Sequence, residues 1–176
     1  MSGELRNGEA VEPMRAMQTE VVRQVLALLA GGQAHVDLKR AIDDLPPAMR
    51  GVRPERVPYS AWQLLEHLRL AQRDILDFCT DADGAGYKHM AWPDAYWPKS
   101  PEPPTETAWN ETVAAIASDH ARFEDLLTRP DADLLTPFAW GEGQTLLREA
   151  LLIADHNAYH MGELVLLRRL LGAWQQ

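Results

Sequence analysis

The chain has 176 residues, enough for one domain with a substantial buried core. Its 26 acidic side chains outnumber 17 basic ones, giving a formal charge of −9, and no basic stripe alternates with aromatics. That balance argues against nucleic acid as a partner. A hydrophobic share of 46 % and a charged share of 24 % are ordinary for a globular protein.

In chain order, residues 1–10 form an expected flexible N-terminus of a single domain spanning 1–176. MSGELRNGEA lacks the basic patch and apolar run of a secretory signal, and no apolar segment approaches membrane-spanning length. A cytoplasmic location, without a membrane partner, is the expectation. Residues 12–30 carry Met14, Met17, Val21, Val22, Val25, Leu26, Leu28 and Leu29, an amphipathic helix ended by Gly31-Gly32. Asp37 can cap a short helix over 38–45, which Pro46-Pro47 stops.

Ser60 and Gln63 form a capping-box signature. Ala61, Leu64, Leu65, Leu68, Ala71, Ile75 and Phe78 then recur at helical spacing to about Cys79. The single cysteine excludes an intrachain disulfide, and Cys79 reads as a small buried hydrophobe. Residues 80–104 contain Trp92, Tyr96, Trp97 and five prolines. A connection of that length either lines a functional opening or plugs one end of the core. A third long helix is expected over 105–128, with Trp109, Val113, Ile116, His120, Phe123 and Leu127 on one face. The last runs from near Thr145 to about Leu171. Gly162 inside it costs about 1 kcal/mol of helix propensity and permits close approach of a neighbour. The fold class is all-α, a four-helix bundle with one additional short helix.

The last helix holds Asp155-His156-Asn157-Ala158-Tyr159-His160. Histidines four apart point to one side, one turn apart. His156 and His160 fall on the wheel with Ile153, Leu164 and Leu167, so both look inward. His67 lies beside Leu64 and Ala71 on its own core-facing side. A lone inward histidine is more often a satisfied core residue than a ligand. The pair, with a third candidate on a facing helix, makes a divalent metal a competing explanation. The peptidase motif is excluded, because Asn157 stands where it requires a water-activating glutamate. His120 is the reserve ligand; His35 and His89 read as non-ligating. Tyr59, Trp62 and Tyr159 could shape a pocket by proximity. Glu66, Asp155 and Glu163 either orient imidazoles or are solvated.

At these residues the chain resembles the DinB/YfiT-like superfamily, and within it an uncharacterised bacterial branch. The resemblance covers about Val21 to Gly172. It is carried by Gly31-Gly32-Gln33-Ala34-His35, by Pro58-Tyr59-Ser60-Ala61-Trp62 through Glu66-His67-Leu68-Arg69, by Trp92-Pro93-Asp94-Ala95-Tyr96-Trp97-Pro98, and by Gly143-Gln144-Thr145 running into His156 through Gly162. It implies a bundle holding nickel, zinc or another divalent ion (iron, copper or manganese) on His67, His156 and His160. Relatives often carry a histidine near the turn before the last helix, where this chain has Ala139-Trp140-Gly141. Some members resemble thiol-dependent S-transferases and others have no known activity; the resemblance makes a low-molecular-weight thiol and a small electrophile candidate partners. Homodimers are common in the family, and Leu151, Ala158 and Val165 lie away from the histidine line. Three readings follow: a metal-dependent enzyme activating a thiol or water, a non-catalytic metal-binding bundle, and a metal-free helical dimer with polar core histidines.

Overall fold

Periodicity and caps lay out the backbone. The computed structural model describes residues 4–174, with side chains from residue 12 onward. The elements are α1 (Glu4–Ala30), α2 (Leu38–Ile42), α3 (Ala61–Thr80), α4 (Ala108–Thr128) and α5 (Leu146–Leu170), with single 3-10 turns at Pro47–Met49 and Asp94–Tyr96. This is the expected all-α bundle of four main helices and one short one. The expected flexibility of residues 1–10 falls partly on residues outside those described. Helix α1 begins well before residue 12 and runs through Pro13.

The Ser60 and Asp37 caps are where the sequence places them. The Ser60 hydroxyl accepts from Gln63 N while the Gln63 side chain accepts from Ser60 N, a closed capping box. Asp37 caps α2 through Arg40 N, and Thr145 caps α5 through Arg148 N. Helix α2 stops at Ile42, short of residue 45, because Asp43 turns extended and Asp44 takes a positive φ of 55°. Helix α4 starts at Ala108 rather than 105, and Thr105 Oγ accepts from Ala108 N.

Two apolar clusters fix the helix directions. One joins Leu64, Leu65 and Leu68 of α3, Trp109 and Ile116 of α4, and Leu164 and Leu167 of α5. The other joins Leu76 and Phe78 of α3, Phe123 and Leu127 of α4, Val25 of α1, and Leu146 and Ile153 of α5. Helices α3 and α4 therefore run parallel and α5 antiparallel to both. Parallel neighbours need a long return connection, which is what residues 81–107 supply. Polar links fasten α3 to α4: Gln72 Nε2 donates to Ile116 O at 2.8 Å, and the fully buried Asp119 accepts from Arg73 Nε at 2.8 Å.

Cys79 is buried, and burial, aided by the Glu149 charge, pushes its thiol pKa well above the ordinary range. A disulfide-exchange reagent should leave it unmodified in native protein and react fully after denaturation; rapid native reaction would contradict this packing. Gly162 is a correction. It lies on the exposed side of α5, and a Cβ there would meet nothing within 4 Å. No neighbour within the described chain uses the close approach it permits. Among the described residues, no helix is long and apolar enough to cross a membrane.

Candidate metal centre

On α5, residues 146–153 belong to one apolar cluster and 161–167 to the other, and His156 and His160 sit between them. His67 reaches the same point from α3. The three rings meet edge to edge: His67 Nε2 lies 3.1 Å from His160 Nε2 and 3.0 Å from His156 Nε2. Exposure is 1 % for His67 and 7 % for His160, while His156 is half-buried. Together they are the group of potential metal-ligand side chains among the described residues.

Hydrogen bonds fix two of the tautomers. Tyr96 O can only accept, so His67 Nδ1 carries a proton and donates it at 2.8 Å. His160 Nδ1 donates to the Glu163 carboxylate at 2.7 Å. In the neutral rings, both Nε2 atoms therefore present bare lone pairs toward each other. Burial, reinforced by the neighbouring imidazoles, lowers the pKa of His156 to about 4; burial likewise lowers that of His67. Protonating His67 or His156 is thus a poor way to relieve the crowding. A shared cation relieves it directly. Nitrogens bound ~2.0–2.1 Å from one ion lie roughly 3–3.4 Å apart, which is the spacing of His67 Nε2 from each of its two partners, and the three ligand atoms all lie within 4.8 Å of one another, a group that could hold a single divalent metal.

The long loop closes over this centre. The Trp97 ring stacks on His67, centroids 3.8 Å apart and planes within 6°, and Tyr59 stacks on the other face of Trp97 at 3.8 Å. Gln63 Nε2 donates to Pro98 O and Ser60 Oγ to Pro101 O, pinning the following residues against the start of α3. The loop thus covers the histidine cluster, with Trp97 packed directly on one of its rings. Gly51 permits part of this closure, since a Cβ there would collide with the Glu102 side chain.

The remaining sequence candidates separate cleanly. His120 stands outside the cluster, 3.7 Å from Glu124. His35 and His89 are exposed. Glu66 pairs with Arg69 and accepts from Thr112, and Asp155 is exposed, so neither orients an imidazole. Glu163 does. Trp62 is buried in the core; Tyr59 acts through Trp97, and Tyr159 is exposed with its ring 4.9 Å from that of His160. Sequence reasoning missed the Tyr96 carbonyl and the Trp97 stack. The only available signal was the aromatic run at Trp92, Tyr96 and Trp97.

The chain is thus an all-α bundle of four main helices with two histidines one turn apart on its last helix and a third on the facing helix, a cluster that could hold a metal. The model of the DinB superfamily matches residues 32–164, well over half of the chain, and the protein belongs to that family. No curated protein and no solved structure matches significantly.

Proposed function

We propose that this protein is a divalent-metal-dependent enzyme whose ion is held by His67, His156 and His160 and which activates a thiol or water toward a small electrophile. The observation that carries the reading is the approach of the His156 and His160 Nε2 atoms to His67 Nε2, at 3.0 and 3.1 Å, with two Nδ1 protons committed elsewhere. The donor set favours zinc or nickel, because neutral imidazole suits both. When bound, such an ion supplies Lewis acidity that lowers the pKa of a coordinated thiol or water. The protein's own part is orientation and exclusion of solvent. Tyr96 O and Glu163 set the tautomers, and Trp97 shields one face of His67. The group contains three side chains among the described residues, which favours an exchangeable position over a closed structural site.

The test is the visible spectrum of cobalt-substituted protein. Adding a small thiol is expected to change the ligand-field bands. Bands indifferent to thiol and to azide would mean a closed, non-catalytic ion. A thiol co-substrate and a cytoplasmic setting belong to this same reading.

A homodimer through α5 accompanies the proposal; of the face expected from sequence, Leu151 is exposed while Val165 packs against the core, which moves the proposed contact to the neighbouring outer face. Tyr159 and Leu166 are 65 % and 56 % exposed there, on either side of the open Gly162. Asp155 and Arg169 lie seven residues before and after that glycine. A two-fold axis through Gly162, with the helices antiparallel, sets each Asp155 opposite the other copy's Arg169. Sedimentation at micromolar concentration should give a dimer that Gly162→Arg converts to monomer. Wild-type protein sedimenting only as monomer would overturn this assembly.

A further inference from the structure

Asp74 lies seven residues after His67 on α3, two turns along the same face and about 10.5 Å away by helical rise. Its carboxylate accepts two phenolic hydroxyls from the long loop, Tyr87 at 3.0 Å and Tyr96 at 2.6 Å. Tyr96 spans both turns: its side chain ends on Asp74 while its backbone carbonyl accepts the Nδ1 proton of His67. The next residue, Trp97, stacks on that imidazole. Tyr87 shares the carboxylate but makes no such contact; its ring packs against Phe78 and His89.

We infer that Asp74 is a positioning residue for the metal centre, acting through Tyr96 to fix the tautomer and ring orientation of His67. The inference rests on the metal reading above. The Tyr96 hydroxyl anchors the residue whose carbonyl selects Nδ1–H, leaving Nε2 free to bind metal. Without that anchor the carbonyl can drift, and Nδ1–H and Nε2–H forms of His67 interconvert. Tyr87 provides an internal control, since it bonds the same carboxylate and braces the same loop without touching His67.

The experiment is a zinc titration of the full chain against a competing chelator, with thermal unfolding and the nitrogen-15 spectrum of the imidazoles measured in parallel. Tyr96→Phe is expected to weaken zinc binding about tenfold, at the low end for loss of an orienting partner because the carbonyl itself remains. Tyr87→Phe should leave affinity within about twofold on the same reasoning, even where both variants lose similar thermal stability. Asp74→Asn should follow Tyr96→Phe in affinity and, like it, show mixed His67 tautomers. Equal zinc affinity in wild type, Tyr96→Phe and Asp74→Asn would overturn the inference. So would an equal loss in Tyr87→Phe, which would make the triad a brace for the loop alone. Wild-type protein that binds no zinc or other divalent metal would remove the metal reading, and this inference with it.

Discussion

Replacing His160 with alanine is expected to weaken divalent-metal binding by more than ~100-fold in chelator competition. That exceeds the 10–100-fold typical of losing a partner outside the ligand set, because a ligand itself is removed. His160 is tied into the cluster on both ring nitrogens. It is buried, its Nε2 faces that of His67, and its Nδ1 is tied to Glu163. The variant removes one ligand from the ion and leaves the Glu163 carboxylate without its imidazole. His67→Ala should be similarly depleted of metal and should also leave Trp97 without its stacking partner and Tyr96 O without its donor. Glu163→Gln, which preserves shape but weakens the hydrogen bond, should bind metal with a smaller loss, about tenfold. Undiminished affinity in His160→Ala would reject the ligand assignment.

The largest stability effect is expected at Arg168. This side chain is 2 % exposed, yet its donors reach carbonyl oxygens rather than a carboxylate. Its Nη1 donates to Ala41 O at 2.7 Å, its Nη2 to Asp43 O at 2.6 Å and Ala173 O at 2.9 Å, and its Nε to Ala173 O at 3.1 Å. One guanidinium therefore closes the C-terminal end of α2 and the turn after α5, where carbonyls lack helical partners. Trp174 lies over it with the ring centroid 5.0 Å away. Arg168→Ala strands these carbonyls in a buried place and is expected to cost about 3 kcal/mol, a figure set by charge-assisted bonds of roughly 1.5–3 kcal/mol each. That corresponds to a fall in Tm of roughly 6–12 °C for a chain of this size. Arg168→Lys should rescue little, since a single ammonium cannot span carbonyls on two sides. A Tm within about 2 °C of wild type for the alanine variant would contradict this account.

The main helices were legible because their apolar residues recur at helical spacing over many turns and their ends carry local signals. Ser60 with Gln63 and Asp37 announce caps that depend only on near neighbours, and Thr145 marks where the last helix begins. The early end of α2 was less visible: Asp43-Asp44 leave the helix before Pro46, and nothing in the pattern distinguishes them from helical positions. The histidine trio was legible for the same reason as the helices, since wheel positions bring His67, His156 and His160 to the core side. Their supports were not. The Tyr96 carbonyl is a backbone group in a loop, and its partner depends on how residues 81–107 return along α3. Arg168 looks in sequence like an ordinary basic residue in a helix's last turn, and its burial follows from the docking of α2 far away in the chain. Glu163 was recognisable only as a neighbour of His160, because an i,i+3 position permits contact without requiring it. Gly162 was readable as a site of close approach, but among the described residues no neighbour comes within 4 Å of the position its Cβ would take.

The measurement that bears most directly on the central claim is metal analysis of the protein purified without chelators, combined with anomalous diffraction from its crystals. The account predicts about one divalent ion per chain, as a three-histidine site requires, at roughly 2.0–2.2 Å from the Nε2 atoms of His67, His156 and His160. A metal-free protein after exposure to zinc and nickel, or an ion bound elsewhere with these three nitrogens uncoordinated, would contradict it.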